Sequence, residues 1–383
     1  MKKVMIIAGE ASGDLHGAHL VRAMHAQNPD LSFSGMGGEE LAAAGVDLLF
    51  DAEKIAVVGL FEVFSHFPDL LAAQKILRRW MAGERPDLLI LIDFPDFNLM
   101  LARRAKKLGI PVFYYISPQV WAWRSGRVKT MAQLVDRIGV ILPFEEDFYQ
   151  KRGVEAHYVG HPLLDSVKVT KDRGQFCQEH GIDPERKLVC LLPGSRRREI
   201  ASLLPDFLDA AFRMQSKVET PLTFLLPVAP TISDDELQVH GLKDYGDRLD
   251  IQVIRRNRYN LMAACDCALA ASGTVTLELA LLDVPMVVTY RVSPHTYLLG
   301  RCLIADIKHF SLVNLIADDA LVPELLQDEV NPRRIEKELG RLLFDEQNAQ
   351  TIRHGLALVR KRLGDAGASV RAANLALELL STD

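Results

Sequence analysis

Short apolar runs alternate along this chain with longer stretches in which apolar positions recur every three or four residues. The runs predict strands buried on both faces, and the periodic stretches predict amphipathic helices. Together they form a βαβ series, which implies parallel, doubly wound sheets. Strands are predicted at Val4–Ala8, Ser32–Ser34, Leu88–Ile92, Val112–Ile116 and Ile138–Leu142, with helices such as His16–Gln27 and Leu99–Leu108 between them. Around residues 143–186 the pattern turns polar and irregular and includes VGHPLLD, Val159–Asp165. The alternation then restarts with strands at Leu188–Leu192, Leu222–Val228, Ile251–Arg255, Ala268–Ala271 and Met286–Tyr290. The tail, Glu336–Leu380, is helical by period and either completes the second half or crosses back onto the first. At 383 residues the chain is long for one core. The expected division is two Rossmann-like domains, 1–165 together with 350–383, and 166–349.

Open parallel sheets bind ligands at the carboxyl ends of their strands, so the residues just after each run are the candidates for chemistry. Leu88–Ile92 runs into Asp93 and Asp96, with Pro95 stopping any extension of the strand. Asp93 suits a half-buried base, or else a helix cap. The first strand is followed by Gly9-Glu10-Ala11-Ser12-Gly13-Asp14, which lacks the GxGxxG spacing of a dinucleotide site. Glu10 and Asp14 would repel a pyrophosphate, so Glu10, Ser12, Gly13 and Asp14 suit a sugar or hydroxylated acceptor better. The glycine-rich turn Gly35–Gly38 is weaker evidence, and a plain turn is the stronger reading.

In the second half, Gly194, Ser195 and Arg196 follow a strand and enter a helix. Backbone donors beside a guanidinium suit a diphosphate, and the plainer reading is a helix start capped by Ser195. Ser272, Gly273 and Thr274 repeat that placement, and Glu278 follows about one helical turn later. A carboxylate there can accept both hydroxyls of a ribose, or simply complement the helix dipole. Gln119, Trp121 and Trp123 lie in SPQVWAWR, where aromatic and Arg planes suit sugar or acyl surfaces, or a core. In Val57–Trp80, Leu60, Val63, Phe64, Phe67 and Leu71 share one helical face, which Phe61 widens. Pro68 should kink or interrupt that helix. Beside Arg78 and Arg79, this face fits an anionic membrane surface or a protein core.

Composition narrows the classes. Apolar residues make up 49% and charged residues 25%, ordinary for a globular protein, and a net charge of −5 argues against a general nucleic-acid binder. The five cysteines, Cys177, Cys190, Cys265, Cys267 and Cys302, form no CxxC pair and no zinc spacing with histidine. A reducing compartment fits them. The opening apolar run is short and is followed by Glu10 and Asp14, so it reads as a strand rather than an export signal. No run has the length of a transmembrane helix.

Taken together, GEASGD, IDFPDFN, ISPQVWAWR, VGHP, LLPGSRRREI, ASGTVTLE and SLVNLIADDALVPELLQ resemble the lipid-A-disaccharide synthase family of GT-B glycosyltransferases. The resemblance spans residues 9 to 327, and IDFPDFN with SPQVWAWR is its most specific part. It implies a GT-B fold with the active site between two domains, the first taking the acceptor and the membrane and the second the donor. It also implies inverting transfer from UDP-2,3-diacylglucosamine to 2,3-diacylglucosamine 1-phosphate (lipid X), yielding a β-1,6 disaccharide 1-phosphate and UDP. Asp93 matches the family's general base, Arg196 an arginine near the donor diphosphate, Asn314 a further required residue and Glu278 the ribose carboxylate. The resemblance implies no cofactor and no metal, since Asp93-Phe94-Pro95-Asp96 lacks the DxD spacing. It further implies cytoplasmic location, peripheral attachment to the inner face of the inner membrane, no nucleic-acid partner and room for a homodimer. Two rival readings remain: a UDP-GlcNAc 2-epimerase-like enzyme, which shares LPGSR and Glu278, and a non-catalytic nucleotide-sugar or lipid-binding module.

Overall fold

The computed structural model describes residues 1–381 except 53, 55–66, 122–125, 247 and 293–307, and gives the backbone alone for Phe67. The chain divides into two compact units, Met1–Leu164 with Asp365–Asp383, and Asp165–Gly364.

Among the described residues of the first unit, strands β1 (Lys2–Ala8), β2 (Leu31–Gly37), β3 (Asp47–Asp51), β4 (Leu88–Ile92), β5 (Val112–Tyr115), β6 (Arg137–Val140) and β7 (Ala156–Tyr158) form one sheet. Their order is β3-β2-β1-β4-β5-β6-β7, with all neighbours parallel. Every residue of β4 is fully buried, because helices cover both faces. The helices Ala11–Gln27 and Ala368–Ser381 pack over Val4, Ile6, Leu88, Ile90 and Ile92. The helices Phe67–Glu84, Pro95–Lys107 and Arg127–Leu134 cover Met5, Ile7, Leu89 and Leu91. Each such buried aliphatic side chain stabilises the fold by roughly 1.5–3 kcal/mol.

The small side chains of Ala372, Ala373 and Ala376 let the last helix approach its neighbour closely. Arg371 ties it down, donating to the carbonyl of Val159 at 2.7 Å, and Arg137 pairs with Glu378. The return to the first unit starts at Asp365, later than the expected 350. The helix Glu346–Leu363 packs instead on Val275–Leu281 and Leu312–Ala317 of the second unit. Arg362 donates to the carbonyl of Ile316 there, and Gly364, at φ +73°, ends that helix.

The second unit holds β8 (Lys187–Leu192), β9 (Leu222–Pro227), β10 (Ile251–Ile254), β11 (Cys267–Ala271), β12 (Met286–Tyr290) and β13 (Glu324–Leu326). Among the described residues they form a parallel sheet in the order β10-β9-β8-β11-β12-β13. Three strands without a predicted counterpart, β3, β7 and β13, all lie at sheet edges. All three are short and only partly buried, so they leave no long apolar run. Pro68 falls in the first turn of Phe67–Glu84. A missing N–H is harmless there, and residues 55–66 of the expected helix lie outside the described residues.

Candidate active site

In the first sheet the chain runs outward from β1 to β2 and β3, and from β4 outward the other way. The loops after β1 and β4 therefore diverge and open a crevice, the usual ligand position in such sheets. Ala8 lies opposite Ile92 in the register, so Glu10 and Asp93 leave the sheet side by side.

The Asp93 turn is strained. Asp93 (φ +43°), Phe94 (φ +46°) and Ile116 (φ +59°), at the end of β5, all lie in the left-handed region. Such residues cost about 1–3 kcal/mol each and persist only when neighbours hold them. The Asn98 amide donates to the carbonyls of Ile92 at 3.1 Å and Asp93 at 2.7 Å. Tyr114 also donates to the Asp93 carbonyl. The Asp93 N–H reaches the carbonyl of Ile116 at 3.2 Å. Gly9 completes the clamp, since a β-carbon there would lie 2.4 Å from the Phe94 ring. Burial, and next the charge of Glu10, raise the Asp93 carboxyl from 3.8 to about 6, against the opposing hydrogen bond from the Phe94 N–H. Asp96 stands apart, exposed and paired with Arg127.

The rest of the first loop divides by exposure. Glu10 and Ser12 are exposed, while Gly13 is buried close to Ile92 and Ala8. Asp14, read from sequence as a substrate contact, is buried and already engaged. Its carboxylate accepts the N–H groups of Gly38 at 2.7 Å, Glu40 at 3.0 Å and Leu41 at 3.2 Å, capping the helix Glu39–Ala43. Burial also shifts two histidines of this unit. Burial pushes His16 down to about 4 and His161, of VGHP, down to about 3, so both are neutral at physiological pH.

After β5, Gln119 is exposed and Trp121 is partly buried. The Trp121 indole donates to Glu145 Oε1 at 3.0 Å, and its ring meets Phe144 edge-on at 5.0 Å. Trp123 lies outside the described residues. Glu145 also escaped the sequence reading, because it falls in the polar stretch after residue 143, where no apolar period marks it.

The second sheet repeats the reversal between β8 and β11, with Ala270 opposite Leu192. Gly194 has φ +112°, and a β-carbon there would lie 2.2 Å from Glu199 Oε2. Glu199 accepts the N–H groups of Ser195 at 2.9 Å and Arg196 at 3.2 Å. The loop donors expected to face a diphosphate are thus held by the chain's own carboxylate. The helix begins at Arg197, with Arg196 rather than Ser195 in the cap position. The Arg196 side chain is 79% exposed and 3.6 Å from Glu199.

On the facing loop Gly273 and Thr274 are exposed, and Ser272 donates to the carbonyl of Phe310 at 3.3 Å. Glu278 is buried and accepts from Arg258 at 2.7 Å. Burial raises its pKa and Arg258 opposes the rise. Asn314 is 1% exposed, and both ends of its amide are spent on Val322, each at 2.9 Å. It braces the turn between the helix Leu312–Ala317 and β13.

Of the expected membrane face, Phe61 and Phe64 lie outside the described residues, as does the Phe67 side chain. Leu71 is 54% exposed, opposite the core face formed by Ala73, Leu77 and Met81. Among the described residues no helix is long and apolar enough to cross a membrane.

A family model described as Lipid-A-disaccharide synthetase matches residues 4–378. The lipid-A-disaccharide synthase of Geobacter metallireducens is 48% identical over 379 residues, covering 99% of this chain and 97% of its own. That of Nitrosococcus oceani is 47% identical over 377 residues, covering 98% and 96%. Among solved structures, a putative UDP-N-acetylglucosamine 2-epimerase from Listeria monocytogenes aligns with TM-score 0.65 at 14% identity, covering 100% of this chain and 98% of that one. MurG of Acinetobacter baumannii aligns with TM-score 0.62 at 16% identity, covering 99% and 100%. Likeness at these identities carries the fold alone, and that fold is GT-B.

Proposed function

The chain belongs to the lipid-A-disaccharide synthetase family, and from that premise we propose how its residues carry the reaction. It is a glycosyltransferase that forms the lipid A disaccharide from nucleotide-sugar and lipid substrates. The donor is UDP-2,3-diacylglucosamine and the acceptor is 2,3-diacylglucosamine 1-phosphate.

Asp93 is the general base, and its placement carries this reading. A carboxyl raised to about 6 is ionised at neutral pH yet more basic than an ordinary aspartate. It removes the proton of the acceptor 6-hydroxyl as that oxygen attacks the anomeric carbon. The bond from that carbon to the diphosphate oxygen breaks with inversion, and UDP leaves with the electron pair. Glu10 and Ser12, exposed beside Asp93, hold sugar hydroxyls, and Gln119 and Trp121 line the acceptor's path. In the second unit Arg196 and the Ser195 and Arg196 N–H groups receive the leaving diphosphate once Glu199 yields them. Ser272, Gly273 and Thr274 offer further contacts to the donor, and Glu278, steadied by Arg258, accepts the ribose hydroxyls. Asn314 keeps that region in shape rather than touching substrate.

The same reading puts the helix Phe67–Glu84 on an anionic bilayer at the inner face of the inner membrane. Exposed Leu71 and Ile76, Met100 on the neighbouring helix, and exposed Arg78 and Arg79 support it.

Replacing Asp93 with Asn tests the base. Turnover should fall by about 10²–10⁴-fold, while UDP affinity stays within about twofold because Asp93 is not among the donor contacts. Turnover near the wild-type level would overturn the assignment.

A further inference from the structure

We propose that Glu145 is a positioning residue for the transfer, fixing the Ser117–Trp121 segment that follows Ile116, whose carbonyl braces the Asp93 turn. This rests on the assignment of Asp93 as base. Glu145 opens no route to solvent, being 1% exposed. Among the described residues its hydrogen-bond donors are all neutral. Oε2 accepts the N–H groups of Leu142 at 3.0 Å and Ile141 at 3.3 Å, at the end of β6. Oε1 accepts the Trp121 indole at 3.0 Å and faces the Ser117 hydroxyl at 3.5 Å. A buried carboxylate without a cationic partner is costly, and an apolar side chain would fill the space more cheaply. What the carboxylate adds is a two-ended clamp between β6 and the segment after β5.

That segment leads directly to the base. It follows Ile116, a β-branched residue at φ +59° that will not hold this conformation unaided. The Ile116 N–H is tied to the carbonyl of Gly139 at 3.0 Å, and its own carbonyl accepts the Asp93 N–H at 3.2 Å. From Ser117 onward Glu145 supplies the other restraint. If the clamp loosens, Ile116 can relax and the Asp93 turn loses its outer support.

The clamp is also sensitive to protons. Burial, opposed by the same N–H and O–H donors, pushes Glu145 up to about 7. The groups facing it are Tyr149, on its own helix Pro143–Gln150, and Tyr158, on β7, both shifted upward by burial. Arg371 acts on Tyr158, and the neighbouring Glu146 accepts the Tyr158 N–H at 3.3 Å. None of these groups supplies Glu145 with a positive partner in its hydrogen-bond shell. Protonation turns one of its oxygens from acceptor to donor, which Trp121 or Leu142 cannot match.

The test uses the full chain with both lipid substrates, comparing Glu145→Gln, Trp121→Phe, the double variant and Asp93→Asn. Glu145→Gln should lower kcat about 10- to 100-fold, the scale of a small misplacement of a reacting group. UDP affinity should stay within about twofold, and the double variant should be no slower than Glu145→Gln within about twofold, because both remove one contact. The acid limb of kcat should approach a slope of two in the wild type and of one in Glu145→Gln. An unchanged kcat in folded Glu145→Gln, or multiplicative losses in the double variant, would overturn the proposal. If Glu145→Gln fails to fold, Trp121→Phe decides. A severalfold loss of kcat at unchanged melting temperature, UDP affinity and acceptor KM supports the clamp, and no loss of kcat overturns it. Near-normal turnover in Asp93→Asn would instead overturn the base assignment, whatever Glu145 does.

Discussion

Asp93 carries two costs at once, a left-handed backbone and a carboxylate pressed into a partly dry site beside Glu10. Neither helps the fold, which is the usual mark of strain held for chemistry. The second cost has a measurable sign. The folded pKa, about 6, lies above the ordinary 3.8, so the native state binds this proton more tightly than the unfolded chain. The associated stability is present below pH 3.8 and is lost as the pH rises through about 6. At about 1.4 kcal/mol per pH unit the upper limit is about 3 kcal/mol, less because the carboxylate is partly exposed. Asp93→Asn should therefore melt higher than wild type at pH 8, with the gain gone by about pH 4. Thermal unfolding at the two pH values measures this; equal melting points at pH 8 would show that Asp93 is not destabilised by ionisation.

Among the elements, the helix Phe67–Glu84 shows how a single face can be divided. Ala73, Leu77 and Met81 enter the core, while Leu71, Lys75, Ile76, Arg78 and Arg79 stay outside. An apolar and basic outer face should bind anionic vesicles, more weakly as salt rises. Replacing Leu71 and Ile76 with Ser should reduce co-sedimentation with such vesicles severalfold and leave the melting temperature unchanged. Unaltered vesicle binding would remove this helix from the membrane contact.

The same contrast explains what the sequence made visible. Central strands such as β4 were legible because burial on both faces writes a continuous apolar run, and Asp93 was legible because it ends one. The edge strands β3, β7 and β13 write no such run. Glu145 and Asp14 were not legible in their actual roles, because each has partners far along the chain. Asp14 is spent on Gly38, Glu40 and Leu41, and Glu145 reaches back to Ser117. A periodicity shows which face is buried and cannot show which distant N–H a carboxylate will meet.

At the scale of the whole molecule, each unit is a parallel sheet whose strand order reverses once beside β1 and β4, or β8 and β11. GEASGD and IDFPDFN fall at the first of these reversals, and LLPGSRRREI and ASGTVTLE at the second. The first holds a carboxylate with raised basicity, and the second holds cationic and N–H groups suited to a leaving diphosphate. This division of labour is what an inverting transfer between a lipid acceptor and a nucleotide-sugar requires. The most direct measurement is mass spectrometry of the products formed from UDP-2,3-diacylglucosamine and 2,3-diacylglucosamine 1-phosphate by the wild-type chain and by Asp93→Asn. The wild type should yield one tetraacylated disaccharide 1-phosphate per UDP released, and Asp93→Asn should yield almost none. UDP release without disaccharide, an epimerised donor, or equal product from both proteins would contradict the account.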